Sequence, residues 1–159
     1  PLHMTMASLT DTEVAQLKAL AKIISNPRAR ETSKERHLER NYIVQAVQHE
    51  FKLFTRQSRL DSENFSCGLI WTAPDGSKIT LVRYNGADHP HFNAIEGDRD
   101  AEFTFHIHVA TERYIAAGRK PEHFAQPTTR YRTLDGALAC LLLDWNINGL
   151  EPAPQDPLL

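Results

Sequence analysis

The segment from Phe65 to Tyr84 constrains the fold of this chain more than any other. Residues 65–72 and 78–84 are rich in β-branched, aromatic and other apolar residues, and they flank the sequence Ala73-Pro74-Asp75-Gly76. Proline fixes φ at the start of a tight turn, and glycine permits the positive φ that follows. The segment therefore predicts a β-hairpin, and with it an antiparallel sheet.

Alternation of apolar and polar residues predicts further strands on both sides of this hairpin. Residues 43–56 alternate as one half-buried strand, and residues 103–109 alternate in the same way. The apolar sides of these two strands are formed by Val47, Phe51 and Leu53, and by Phe103, Phe105, Ile107 and Val109.

Helices are predicted near both ends of the chain. Thr10 and Glu13 form a capping box, after which apolar residues recur at helical spacing as far as Ile24. A short helix is expected over 111–117, and a final helix follows Thr133. The buried stripe of this last helix is Leu134, Leu138, Leu141, Leu142 and Trp145. The highly charged segment 33–39 is expected to be a short exposed helix or a linker.

These elements together predict an α+β fold: an antiparallel sheet of about four to five strands with helices packed on one face. Residues 1–3 are interpreted as a tag remnant and 4–40 as an N-terminal helical segment. Residues 41–150 then form the α+β domain, and 151–159, with three prolines, form a flexible tail.

Composition excludes several classes of protein. No apolar run approaches the length of a membrane span and no signal-peptide pattern is present, so we expect no membrane partner and a cytoplasmic location. Cys67 and Cys140 each lie in an apolar stretch, which predicts buried free thiols rather than a cysteine-ligated zinc site.

Two His-x-His pairs, His89/His91 and His106/His108, contain half of the eight histidines in the chain. Residues i and i+2 of a strand lie on the same face, so two neighbouring strands could bring four imidazoles together. Because apolar residues occupy the alternate positions of 103–109, His106 and His108 are expected on the open face of the sheet. Imidazole suits proton transfer and metal binding near neutral pH, so the pairs predict a functional site.

Two chemistries suit such a cluster. A metal could be bound by the histidines with Asp88 or Glu96 completing its ligands, but no metal-site spacing is matched and no cofactor is expected. Alternatively, one imidazole takes the proton of an RNA 2′-hydroxyl while another protonates the leaving oxygen. Arg83 would stabilise the charge of the phosphorane.

Three further residues are candidates for substrate binding. Tyr84 and Tyr114 could hydrogen-bond a phosphate or stack on a base, and Asn93 follows His91 by two positions. Each also has a purely structural interpretation, because tyrosines often pack in cores and asparagine often bonds to the backbone of its own loop.

Charge is unevenly distributed along the chain. Residues 28–59 contain eight Lys or Arg against four Asp or Glu, whereas 86–112 contain one basic residue against six acidic ones. The basic segment indicates a phosphate-bearing or acidic partner, or equally a solvated helix face with salt bridges.

The order Arg-Tyr-Asn, His-x-His-x-Asn, Gly, His-x-His, Tyr over 83–114 resembles the core of small bacterial toxins of the TumE-like type and related mobile-element families. A looser likeness extends through 134–147. The resemblance implies a cytoplasmic toxin that acts on RNA and has a cognate antitoxin.

The leading hypothesis is a metal-independent ribonuclease in which His89, His91, His106 and His108 transfer protons and Arg83 holds the phosphate. One alternative is a non-catalytic inhibitor of phage or mobile-element origin that binds a protein or nucleic-acid complex through its charged faces. Another is a histidine-based metal protein. Activity that persists in EDTA separates the first hypothesis from the last.

Overall fold

The structure is a computed structural model that describes residues 9–150. The expected tag remnant (1–3) and tail (151–159) lie outside the described residues. In chain order the elements are α1 (Asp11–Ala19), β1 (Lys22–Ile24), β2 (Thr32–Ser33), β3 (His37–Ala46), β4 (His49–Ser58), β5 (Phe65–Thr72), β6 (Lys78–Asn85), β7 (His106–Val109), α2 (Glu112–Ala116), β8 (Ala125–Pro127), α3 (Leu134–Asp144) and β9 (Ile147–Asn148).

The strands form one sheet of nine, in the order β8-β7-β6-β5-β4-β3-β1-β9, with β2 paired to β3 beside this path. Neighbouring strands are antiparallel except β1 and β9, which are parallel, so the sheet is mixed. The prediction of four to five antiparallel strands with packed helices was therefore wrong. The described chain is mostly sheet, with three short helices.

One cause of the error is a turn that carries no glycine or proline. Residues 43–56, read as one strand, belong to β3 and β4, which reverse at Val47 and Gln48. Gln48 adopts the positive φ of 64° that such a turn needs, a role usually taken by glycine or asparagine. Val47, expected in the core, lies at the turn and is 80 % exposed.

A second cause lies near the N-terminus, where the helical pattern runs on into a strand. Helix α1 ends at Ala19, and the next apolar residues, Ile23 and Ile24, pair with β3 instead. The buried Lys22 side chain donates hydrogen bonds to the carbonyls of Lys18, Leu20 and Trp145, which satisfies acceptors at the helix end. Burial lowers the pKa of Lys22 to about 8. The charged segment 33–39 also forms strand, in β2 and β3.

Several local predictions are confirmed. Strands β5 and β6 form the expected hairpin, with Thr72 opposite Lys78 and Gly76 at a φ of 88°. Thr10 and Glu13 form the capping box of α1, and Thr111 and Thr133 cap α2 and α3. Cys67 and Cys140 are buried free thiols. No helix within residues 9–150 is long and apolar enough to cross a membrane.

The hydrophobic core covers one face of the sheet. Side chains from β4 to β6 on this face, including Leu53, Leu69 and Tyr84, pack against α3, and Val14 and Leu17 of α1 belong to the same core. Since side chains alternate along a strand, Arg83 and Asn85 lie on the opposite face. That second face carries the candidate site.

Candidate active site

A cleft of about 250 Å³ lies on the face of the sheet opposite the core. Strand pairing builds its floor by placing Arg56, Ser66, Asn85 and His106 in one row across β4 to β7. The next row holds Phe54, Gly68, Arg83 and His108. The residues that line the cleft are Arg56, Asn64, Phe65, Ser66, Arg83, Asn85, His89, Pro90, His91, His106 and His108.

His106 and His108 share the predicted face but not the predicted exposure. They are 1 % and 4 % exposed, although an open face was expected. The correction arises from segment 86–105, which folds back over this end of the sheet and places the His91 ring 5.9 Å from that of His106 and 5.0 Å from that of His108. Ile107 and Val109 are half-buried against the core, as their alternation indicated.

The strand that carries this pair is shorter than predicted. It begins at His106, whereas the sequence pattern suggested Phe103. Phe103 adopts a φ of 51° and is 59 % exposed, so it lies in a turn and contributes nothing to the core. Its backbone nitrogen donates to the carbonyl of His89, which links the two ends of the covering segment.

Asn93 fixes the covering segment to the sheet. Its side-chain nitrogen donates to the carbonyl of Ala125 and to Asp98, and its oxygen accepts from the amide of Ala125 and from Nε2 of His91, at distances of 2.8–3.0 Å. The residue is 2 % exposed and does not line the cleft. Asn93 therefore orients the His91 ring from behind rather than contacting a bound molecule.

Hydrogen bonds also fix the protonated nitrogens of the buried pair. Nδ1 of His106 lies 2.6 Å from the carbonyl of Thr104, and Nδ1 of His108 lies 2.9 Å from the carbonyl of Glu122. A carbonyl only accepts, so each Nδ1 must carry hydrogen. The two Nε2 atoms, 3.1 Å apart, then direct lone pairs at each other unless a proton or a cation lies between them.

Burial controls the charge of these rings. Desolvation lowers the pKa of His106 to about 4 and that of His108 to about 2, and the nearby Arg83 guanidinium acts in the same direction. Burial also lowers the pKa of His91. The buried pair is therefore neutral near physiological pH, which is the state that accepts a proton.

His89 differs from the buried pair because it lies at the mouth of the cleft, with 45 % of its side chain exposed. Its Nδ1 is 2.6 Å from Oδ1 of Asp88, but the contact lacks hydrogen-bond geometry and both atoms are buried without another partner. Nε of Arg83 and Oδ1 of Asn85 are likewise buried and unpaired. Three of these four unsatisfied atoms belong to lining residues of the cleft (Arg83, Asn85 and His89), which indicates a place where a polar molecule binds.

Arg83 provides a partly buried positive charge at the site. Its Nη1 lies 3.5 Å from Oε2 of Glu122, whose side chain is 8 % exposed. Burial lowers the pKa of Arg83 and the Glu122 carboxylate opposes this shift. A guanidinium stays charged even so, because its ordinary pKa is above about 12.

The two candidate tyrosines lie away from the cleft. The Tyr84 hydroxyl, on the core side of β6, donates to Asp144 of α3. The Tyr114 hydroxyl donates to Glu96 at 2.6 Å, and its side chain is fully buried. Both side chains are therefore packed inside the protein, in agreement with the purely structural interpretation of these tyrosines.

Metal binding would rest on the two convergent nitrogens of His106 and His108. Their separation suits two ligands of one ion held at about 2.0–2.1 Å. Glu96 instead bonds to Tyr114 and Arg113, and Asp88 contacts His89. Within residues 9–150, no group of three His, Cys, Asp or Glu side chains has the geometry of a metal site.

Sequence reasoning missed His123 and Arg56. The His123 ring lies 5.1 Å from that of His91, and its Nε2 is 3.0 Å from the carbonyl of Phe92. Segment 121–124 has no periodicity that could have revealed this position. Arg56 is the only residue of the basic segment 28–59 that lines the cleft, and its place depends on a strand register that one sequence does not give.

Comparisons of this chain with protein-family models, with curated proteins and with solved structures gave no match in any of the three. The case for a function therefore rests on the geometry of the cleft.

Proposed function

We propose that the cleft cleaves RNA by general acid–base catalysis without a metal. The observation that carries this proposal is the lining, which combines four histidines and two arginines. None of the lining residues, all within the described range 9–150, is acidic. Asp88 and Glu122 lie beside the cleft, where they contact His89 and Arg83. Such a lining suits an anion, and imidazoles beside a phosphate suit proton transfer.

The buried pair is assigned to proton abstraction. Neutral His106 has Nδ1 committed to a carbonyl, so its free Nε2 can accept the proton of an attacking 2′-hydroxyl. His108, whose Nε2 is 3.1 Å away, can stabilise the imidazolium that forms by accepting a hydrogen bond from it. This pairing removes the conflict between the two lone pairs at the moment of reaction.

Protonation of the leaving group is assigned to His89 at the mouth of the cleft. His89, with 45 % of its side chain exposed, is more accessible than His106 and His108, and its ring lies beside Asp88. A protonated His89 would donate to the departing 5′-oxygen. Arg83, with a buried Nε that has no partner, would donate to a phosphoryl oxygen as negative charge develops on it.

The proposed biological role is that of a cytoplasmic toxin with a cognate antitoxin. Its support is the resemblance of segment 83–114 to TumE-like toxins, which includes Arg83, Asn85 and both His-x-His pairs. An antitoxin that covered the mouth of the cleft would block access of RNA to His89.

The experiment is RNA cleavage by the purified protein in EDTA, with His106→Asn as test variant. Loss of one general base lowers the rate by about 10²-fold to 10⁴-fold. The matched control is His49→Asn, since His49 lies at the far end of β4 and does not line the cleft. A wild-type rate abolished by EDTA, or an unchanged rate in His106→Asn, would contradict the proposal.

A second candidate function, metal binding, is favoured by the convergence of the two Nε2 lone pairs at 3.1 Å. Calorimetric titration with Zn²⁺ tests it directly. Stoichiometric binding that is lost in both His106→Asn and His108→Asn supports a metal protein, and no heat of binding excludes this candidate.

A further inference from the structure

The ring of Phe54 lies over Gly68 on the same face of the sheet as the cleft. A side chain at Gly68 would collide with this ring, because a Cβ built there would lie 2.7 Å from Cε2 and 2.8 Å from Cζ of Phe54. Because Gly68 has no side chain, the Phe54 ring of β4 can lie directly over the backbone of β5 at this position. Phe54 is only partly buried, so its ring remains accessible from outside the sheet.

Positive charge surrounds this ring. Lys52 and Arg56, two residues before and after Phe54 on β4, lie on the same face and are exposed. Neither has a carboxylate within 4.0 Å in the part of the chain that the structure describes. Arg83 lies in the same cross-strand row as Phe54, beyond Gly68.

The surface continues away from the cleft as a second groove, of about 380 Å³. Its lining includes Ile43, Lys52, Ile70 and Lys78 together with one acidic residue, Glu50. The other carboxylate near this path, Glu39 opposite Arg56, is bound to His37 at 2.9 Å. A surface made mainly of cations and apolar side chains, with Glu50 as the one carboxylate in the groove lining, thus leads from the histidine cleft across the sheet.

From these contacts we infer that Phe54 is a base-stacking platform for single-stranded RNA, which runs from the cleft across the open face of the sheet. The inference rests on the proposed function, because it names the substrate class of the same site. Phe54 and Arg83 lie in one row on β4 and β6, and two interstrand spacings of about 4.7–4.9 Å separate them, so Phe54 receives a base close to the phosphate held by Arg83. Aromatic stacking with flanking cations is the usual means of binding unpaired nucleotides.

A duplex does not fit this arrangement. Stacking on Phe54 requires an exposed base face, and paired bases in a helix present only edges and backbone to a protein. The protein should therefore bind a single strand and discriminate against the same sequence in a duplex.

The test is fluorescence-anisotropy binding of a short 2′-O-methyl oligonucleotide, which cannot be cleaved by attack of its own 2′-oxygen. Phe54→Ala and Phe54→Leu should raise Kd by about 5-fold to 100-fold, whereas Phe54→Tyr should retain binding because it keeps the ring. Leu143→Ala is the control, since Leu143 is 79 % exposed on α3, away from this face. The duplex should bind more weakly to the wild type than the single strand does.

Equal Kd values for wild type and Phe54→Ala overturn the inference, and so does full binding by Phe54→Leu, which would mean that bulk alone matters. Far-ultraviolet circular dichroism checks that each variant is folded. If the protein binds the strand through Phe54 but cleaves no RNA, the proposed function fails and the platform stands. If cleavage is normal and Phe54→Ala changes neither Kd nor KM, the platform fails and the proposed function stands.

Discussion

The two His-x-His pairs share one motif and occupy opposite environments. His106 and His108 lie on β7, nearly inaccessible, with each Nδ1 committed to a backbone carbonyl. His89 and His91 lie in the covering segment, where His89 is half exposed beside Asp88 and His91 is oriented by Asn93. The difference shows that one motif can be buried to different depths, and burial lowers the pKa of His106 to about 4 and that of His108 to about 2. For this reason we assign proton abstraction to His106 of the strand pair and proton donation to His89 of the loop pair.

The largest expected effect compares one member of each pair in RNA cleavage. His106→Asn and His89→Asn should each lower kcat by about 10²-fold or more. Their pH profiles should differ, because His106→Asn removes the group that must be unprotonated and His89→Asn removes the group that must be protonated. Rates measured across the acidic and neutral range check this. Identical changes of profile would break the proposed division between the pairs.

A slightly smaller loss is expected when the cation between the pairs is removed. Arg83→Gln should lower kcat by about 10²-fold to 10³-fold, because it deletes a donor directed at developing charge. Arg83→Lys should recover only part of the rate, since lysine lacks the planar set of donors. Arg132→Gln serves as control because Arg132 is exposed and does not line the cleft. Full activity of Arg83→Lys would show that charge alone is sufficient.

The pairs should also differ in their contribution to stability. His108→Ala should lower the free energy of unfolding by about 1–3 kcal/mol, because it leaves a cavity and an unpaired carbonyl in a buried place. His89→Ala, at the mouth of the cleft, should change it by less than about 0.5 kcal/mol. Urea denaturation measures both values. Equal losses would indicate that His89 is as firmly packed as His108.

Acid should destabilise the protein through the buried pair. The pKa of His106 is about 4 and that of His108 about 2 in the folded state, against 6.5 in the unfolded chain. Below that unfolded value the unfolded chain binds protons that the folded protein does not. The contribution of these rings to the free energy of unfolding is therefore fully present above pH 6.5. It declines as pH falls toward their folded-state pKa values, by up to about 1.4 kcal/mol per pH unit for each ring.

The loss of stability caused by the histidines can be separated from the loss that protonation of carboxylates causes in acid. His106→Asn keeps an amide at the same position but does not titrate, so its stability should fall less steeply with acid than that of the wild type. Urea denaturation at several pH values between neutral and mildly acidic gives both slopes. Parallel slopes would contradict this, because they would mean that His106 takes up its proton at the same pH in the folded and the unfolded state.

The smallest expected effect concerns the face opposite the cleft. Tyr84→Phe removes the hydroxyl that donates to Asp144 on the core side of β6. RNA cleavage should keep its wild-type kcat and KM, with a loss of stability of about 0.5–1.5 kcal/mol. A raised KM would mean that Tyr84 binds substrate after all, as the sequence had suggested.

The parts of the fold that could be predicted from the sequence have strong local signals. Pro74-Asp75-Gly76 specifies the β5–β6 hairpin, and Thr133 with its leucine stripe specifies α3. The β3–β4 turn was missed because Gln48 adopts a positive φ that its residue type rarely takes. No local rule separates Ile24 in β1 from the helical spacing of α1.

The sequence was sufficient to predict which face of the sheet carries the candidate site, but not how deeply its histidines are buried. Period-2 alternation places His106 and His108 away from the core, and this is where they lie. Their burial depends on how segment 86–105 folds back and on Asn93 joining it to Ala125, a contact between residues 32 positions apart. The approach of His123 depends on the same long-range packing. Such contacts have no signature in one sequence.

The most direct test of the central claim is the chemistry of the RNA ends that the wild-type protein produces in EDTA. Attack by a 2′-hydroxyl, activated by His106, yields a 2′,3′-cyclic phosphate and a 5′-hydroxyl. The matched substrate carries a single 2′-deoxynucleotide at the cleavage position and should resist cleavage there. Cyclic-phosphate products and resistance of the deoxy substrate are the results that the account predicts. Cleavage that continues at the deoxy position, or 5′-phosphate products that appear only with a divalent metal, would contradict it.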